Sequence, residues 1–181
     1  MDNAISKVLY SEEEIRDKVN ELGKKISEEY KDKEILLVCI LNGAFIFAAD
    51  LFRAIDSDKA SIQFMIVSSY GDSTVSSGQV IIKQDIELPL EGKHVIIAED
   101  VIDTGRTLSY VAEYLKEKGA ESVEICAIFD KPDRRIVGID AKYVGFSIPD
   151  EFVVGYGLDY AGNYRNLPYL GVLDRKIYEN C

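Results

Sequence analysis

Seven consecutive apolar residues, Ile35-Leu36-Leu37-Val38-Cys39-Ile40-Leu41, offer no polar face to water. A strand of this kind needs cover on both sides, as strands in parallel sheets have. The flanking sequence supplies the cover. Ser11 and Glu14 have the spacing of a capping box, and Ile15, Val19, Leu22, Ile26 and Tyr30 recur along one face, so a helix is expected over Ser11–Tyr30. Asn42-Gly43 breaks the apolar strand, and an apolar helix over Ala44–Ile55 follows. A strand is expected at Ser61–Ser69, a loop rich in Ser, Gly and Asp at Tyr70–Gly78, and a short returning strand at Val80–Lys83. The turn Glu91-Gly92-Lys93 leads into a strand at His94–Glu99, a loop at Asp100–Arg106, and a helix at Thr107–Lys118 that Gly119 stops. Further strands are expected at Val123–Phe129, Tyr143–Ile148 and Val153–Leu158. Strands alternating with helices predict one α/β domain over residues 1–181, a largely parallel twisted sheet flanked by helices. Ligands of such sheets sit beyond the carboxyl ends of the strands.

Bulk properties narrow the chemistry. The net charge is −11 and the pI about 4.6, which opposes binding to nucleic acid or to anionic membranes. No apolar run approaches the roughly 18 residues of a membrane span. The start, Met1-Asp2-Asn3-Ala4, has neither the basic lead nor the apolar core of a secretory signal. Cys39 and Cys126 sit in apolar strand-like runs, and with Cys181 the count is odd, so a reduced, cytoplasmic setting is expected. The single His94 reads as an exposed residue opening a strand, and it leaves little room for a zinc site or a Ser-His-Asp relay.

The segment with the most chemistry runs Val95-Ile96-Ile97-Ala98-Glu99-Asp100-Val101-Ile102-Asp103-Thr104-Gly105-Arg106-Thr107. An apolar strand delivers two adjacent acids and then a short loop that opens a helix. Gly105 allows a tight turn and close approach of backbone to ligand. Thr104 and Thr107 add hydroxyls, and the first-turn amides and dipole of the helix favour an anion. A phosphate monoester fits this cup. The two acids cannot bind phosphate directly, but they can accept from sugar hydroxyls or help hold a metal ion. Phosphate beside vicinal hydroxyls points to a ribose 5-phosphate. The other common nucleotide signatures, GxxxxGK[ST] and GxGxxG, are absent.

On these residues the chain resembles the type I phosphoribosyltransferases, and within them the bacterial hypoxanthine and hypoxanthine-guanine branch. The likeness runs from about Leu9 to Asp174. It is most specific at Glu99–Thr107, Ser68-Ser69-Tyr70-Gly71, Asp130-Lys131-Pro132 and Gly145–Tyr160. The resemblance implies a small hood built from the chain termini and a purine-salvage transferase that uses Mg2+. Its reaction would move the phosphoribosyl group from phosphoribosyl pyrophosphate to hypoxanthine or guanine. It implies that Glu99 and Asp100 hold the ribose hydroxyls, with Asp159 as a further metal ligand. Asp103 would be the general base near N7 of the purine, and Thr104, Gly105, Arg106 and Thr107 the 5-phosphate loop. Leu41-Asn42-Gly43 would be the pyrophosphate loop, with Arg165 contacting the same group. Ile102, Lys131, Phe152, Val153 and Asp159 would surround the base, with Lys131 donating to its exocyclic oxygen and Phe152 stacking on its ring. Ser69 and Tyr70 would begin a flexible flap that closes over the substrates. Homodimers or homotetramers are implied as well. One departure stands out, since the family usually has Lys or Arg where this chain has Asn42; the position of Arg106 varies within the family.

The implied chemistry is consistent with the residue types. Negative charge from Glu99 and Asp100 suits a sugar with oxocarbenium character. An ammonium donates and cannot accept, so Lys131 favours a 6-oxo group over the amino group of adenine. Two rivals remain at this stage. A sensor of phosphoribosyl pyrophosphate acting on RNA or DNA would need a basic surface, which this sequence lacks. A transferase for another base is opposed by the segment Phe152–Asp159, although xanthine stays open as a second substrate. Spare apolar residues on the second helix (Phe45, Phe47, Leu51, Phe52) would suit either a partner or the core.

Overall fold

The structure is a computed structural model, and it describes residues 4–69 and 80–179. The chain opens with β1 (Ile5–Tyr10), α1 (Glu12–Glu29), β2 (Ile35–Leu41), α2 (Phe45–Ala54), β3 (Ala60–Ser69) and β4 (Val80–Gln84). It continues through β5 (His94–Ile102), α3 (Arg106–Glu117), β6 (Ser122–Asp130), β7 (Tyr143–Ser147), β8 (Val153–Val154), β9 (Leu170–Leu173) and α4 (Arg175–Tyr178). Six strands form the main sheet in the order β4-β3-β2-β5-β6-β7, parallel except for the antiparallel β3–β4 pair. The fold is therefore the flanked, mostly parallel α/β sheet expected from the alternation of apolar runs and amphipathic helices.

The apolar strand β2 shows why both faces need cover. Leu37 and Cys39 face α1 and α2 and pack with Ile15, Leu22, Phe47 and Leu51. Leu36, Val38 and Ile40 face the other way and pack with Leu108, Val111 and Leu115 of α3. The first helix starts as its sequence dictates, since Ser11 Oγ accepts from the Glu14 amide and Glu14 reaches back to the Ser11 amide at 2.8 Å. Within α2, Phe47 and Leu51 are core, Phe52 is partly buried and only Phe45 is well exposed. His94 opens β5 as expected but is half-buried rather than exposed, with Nδ1 2.8 Å from Ser122 Oγ and its ring tilted on Tyr30.

Two expectations need correction. The strand expected to stop at Glu99 continues through Ile102, because Val101 pairs with Phe129, Ile102 pairs with Asp130, and Ile102 is fully buried. Glu99 and Asp100 thus sit on a strand, and the loop before α3 shrinks to three residues. The strand expected at Val153–Leu158 is only Val153–Val154, because Gly155, Tyr156 and Gly157 all take positive φ and turn the chain. It does not join the main sheet. With β1 and β9 it forms a separate antiparallel sheet, β1-β9-β8, built from both ends of the chain.

Candidate active site

The main sheet reverses its strand order between β2 and β5, since the chain leaves β2 for β3 on one side and reaches β5 on the other. A crevice opens beyond the carboxyl ends of two such strands. Leu41-Asn42-Gly43 lies at the end of β2, with a cis peptide between Leu41 and Asn42. A Cβ on Gly43 would overlap the Asp100 carboxylate. Gly157, at φ 102°, lies so close that a Cβ there would overlap the Gly43 carbonyl. Two glycines therefore let three segments close around one acid.

Asp100 is held against this junction with Glu99 beside it on β5, and neither carboxylate carries a cation among the described residues. Glu99 Oε2 is buried and has no hydrogen-bond partner there. Asp100 Oδ1 accepts from the Val101 amide at 2.7 Å. Burial, followed by the charge of Asp100, pushes the Glu99 carboxyl well above the ordinary carboxylate range. Burial also pushes Asp100 up to about 6, against the hydrogen bond from Val101 and the nearby charge of Arg165. A buried acid oxygen with no donor is costly unless something arrives to satisfy it. Sugar hydroxyls and a divalent cation are the groups of matching chemistry.

Next along the chain, Gly105 caps α3 in the left-handed region at φ 82°, and no side chain caps the helix. The first-turn amides, Arg106 and Thr107 among them, are left to an anion, although the Arg106 amide lies 3.5 Å from Thr104 Oγ1. The Thr104 carbonyl accepts from both the Ile136 and Val137 amides at 3.1 Å, which ties this loop to the one after β6.

The expected base contacts collect at the neighbouring strand ends. The Lys131 amide donates to the Ile102 carbonyl at 3.0 Å, and the Lys131 ammonium donates to the Glu151 carbonyl at 2.7 Å. Phe152 is 39% exposed, stacks on Tyr178 at 5.1 Å and meets Tyr160 edge-on at 5.5 Å. Val153 is buried in β8. Asp103 is bound by Arg134, whose Nε donates to Oδ1 at 2.8 Å. Asp159 lies in a turn rather than at a strand end, accepts from the Gly162 amide and pairs with Arg165 at 2.7 Å. Arg165 also donates to the Gly157 carbonyl. The structure thus brings Asn42, Gly43, Asp100 and the Gly157–Arg165 turn together, with Glu99 next to Asp100 on β5 and with Thr104–Thr107 and the residues expected to meet the base at adjacent strand ends. Ser69 ends β3, while Tyr70 and the expected flap lie outside the described residues.

A model of the phosphoribosyl transferase domain matches residues 7–161. The chain belongs to the phosphoribosyltransferase family. Among relatives in that family, hypoxanthine-guanine phosphoribosyltransferases of Streptococcus agalactiae and Bacillus subtilis are 52% and 51% identical to it, over 98% and 99% of both chains. A hypoxanthine phosphoribosyltransferase structure from Staphylococcus aureus superposes with a TM-score of 0.93 at 46% identity, covering 97% of this chain and 95% of that one. One from Trypanosoma cruzi does so at 0.92 and 37% identity, covering 99% and 97%.

Among the described residues no three His, Cys, Asp or Glu side chains converge as a metal cage. Glu99, Asp100 and Asp159 fit Mg2+ in a different way, as a few carboxylates whose shell substrate oxygens and water would complete. The unsatisfied Glu99 oxygen supports that fit. Sequence reasoning missed Arg134, Asp150 and Tyr178. Arg134 is one of several charges in Asp133-Arg134-Arg135, with no spacing that aims it at Asp103, and Tyr178 comes near Phe152 only through the fold.

Proposed function

We propose that this phosphoribosyltransferase transfers the 5-phosphoribosyl group from phosphoribosyl pyrophosphate to hypoxanthine and guanine, and that the crevice between β2 and β5 is where it does so. The observation that carries the reading is the buried, unpartnered Glu99 oxygen beside Asp100, one short loop from an amide-lined helix start. Ribose hydroxyls would satisfy the acids while the 5-phosphate occupies Thr104–Thr107. Mg2+, held through Glu99, Asp100 and Asp159, would neutralise the departing pyrophosphate. The backbone of Asn42 and Gly43 would receive that group together with Arg165.

In the reaction the bond from C1 to pyrophosphate breaks and a bond from C1 to a base nitrogen forms. The proton lost by the base goes to Asp103. Lys131, once turned from the Glu151 carbonyl, donates to the 6-oxo group, and Phe152 stacks on the ring. The main sheet and the terminal sheet act as a single unit, because the first carries most of the sugar diphosphate site while the second carries Phe152 and the turn with Asp159 and Arg165. Exposed Phe45 and Phe64 suit a homodimeric or homotetrameric assembly, which light scattering would measure.

The test is pyrophosphate release from phosphoribosyl pyrophosphate with magnesium, offering hypoxanthine, guanine, xanthine, adenine and uracil in turn. Turnover with hypoxanthine or guanine and little with adenine or uracil supports the reading. Tight binding of the sugar diphosphate without turnover on any base refutes it.

A further inference from the structure

Arg134 ends a single 3-10 turn, Pro132–Arg134, directly after β6. Its Nε and Nη2 reach the two oxygens of Asp103 at 2.8 and 3.4 Å, a side-on approach to the carboxylate. Its Nη1 lies 3.7 Å from Asp150 Oδ2, and the other Asp150 oxygen is 3.9 Å from the Lys131 ammonium. One guanidinium therefore touches the acid proposed to take the proton and the segment that leads into Phe152. The turn beneath it is anchored, since the Thr104 carbonyl holds the Ile136 and Val137 amides.

The pair is too exposed to contribute much stability. Arg134 and Asp103 side chains are 47% and 45% exposed, and solvent screens ion pairs of that kind. Direction is a different matter. A carboxylate has about four lone-pair sites, so two contacts from a planar guanidinium fix its plane and leave sites free for an incoming proton. Proton transfer depends on that alignment.

We propose that Arg134 is a positioning residue for the transfer: it fixes the direction of the Asp103 carboxylate and ties it to the Asp150–Phe152 segment. The proposal rests on Asp103 as general base, and a double-mutant cycle separates the two ideas. The readout is the single-turnover transfer rate with saturating phosphoribosyl pyrophosphate and hypoxanthine, together with the KM of each substrate. Asp103→Asn slows transfer by about 10²–10⁴-fold. Arg134→Gln slows it about 10- to 100-fold, as misaligned groups do, with the KM of phosphoribosyl pyrophosphate and the melting temperature unchanged. Arg134→Lys recovers part of the loss by keeping one donor on Asp103. Arg134→Gln in the Asp103→Asn background costs nothing further, because the group it positions is gone. Wild-type transfer in Arg134→Gln, or losses that multiply in the double variant, would overturn the positioning role while leaving the general base intact. A near-wild-type rate in Asp103→Asn would remove the general base, and the proposal with it.

Discussion

Glu99 carries an energetic conflict that one substitution can expose. Burial and the adjacent Asp100 raise its carboxyl well above the usual range, and Asp100 itself rises from 3.8 to about 6. Because these values are raised in the folded chain, the stabilisation they bring is fully present below the ordinary carboxylate range. It is lost as pH rises through about 6 and beyond. As pH rises, ionising these two crowded acids therefore costs the substrate-free protein stability. Glu99→Gln should raise its melting temperature at pH 7.5 by roughly 2–4 °C, the shift that about 1 kcal/mol produces in a chain of this size. The gain should shrink at pH 5, while transfer activity falls. A melting temperature that stays level or drops at pH 7.5 would show that the acids do not strain the fold. Lys131 makes the complementary point about specificity. Lys131→Met should reduce hypoxanthine use far more than it changes the KM of phosphoribosyl pyrophosphate, which competition between hypoxanthine and adenine would reveal. Both side chains stood out in the sequence, since two acids after an apolar strand and a lysine after another are patterns. The unsatisfied oxygen did not, because burial of a single atom depends on how segments distant in the chain pack around it.

At the level of elements, spacing foretold type better than length. The capping box of α1 and the apolar run of β2 are local signals, and both elements appear where those signals lie. The end of β5 depends on its neighbour: β6 offers partners as far as Asp130, so Asp100, Val101 and Ile102 extend the strand although Asp100 read as the start of a loop. The short β8 follows from three successive positive φ angles after Val154, which a Gly-Tyr-Gly sequence permits without announcing. The close approach of these elements predicts a sharp sensitivity. In Gly43→Ala the new methyl occupies the space of the Asp100 carboxylate, so that acid or the β2–α2 loop has to move. Transfer should fall at least 100-fold, the cost of a misplacement of about 1 Å at a reacting centre. Gly92→Ala is a control, since nothing lies within 4 Å of its added carbon, though its φ of 75° adds local strain. Steady-state kinetics on the two variants would check this. Comparable activity in both would mean that the crevice is not built on that contact.

Over the whole molecule there are two sheets, and only one of them was legible as a sheet. The main sheet is announced by its apolar runs. The second is made of six-, two- and four-residue strands, the first of them with no buried residue, too short for a periodic signal. Its β1–β9 pairing brings Ile5 opposite Leu173, a match across the length of the chain that no local pattern encodes. The resemblance supplied a hood from the termini, whereas the residue patterns did not. If Phe152 stacks on the base as proposed, this arrangement lets the C-terminal turn α4 support that ring. Tyr178 stacks on Phe152 at 27° between ring planes, and Tyr160 closes the edge, so the exposed Phe152 ring is held by aromatic neighbours instead of by a packed core. Aromatic pairs of this kind contribute roughly 0.5–1.5 kcal/mol beyond their buried area. Tyr178→Ala should therefore raise the KM of hypoxanthine by up to about tenfold, using 1.4 kcal/mol per factor of ten. The KM of phosphoribosyl pyrophosphate, which the Phe152–Tyr178 ring pair is not proposed to touch, should stay unchanged. Tyr178→Phe keeps the ring and should behave as the parent. Equal rises in both KM values would mean that the turn supports the fold as a whole, and no rise in either would detach the hood's aromatic cluster from the base site.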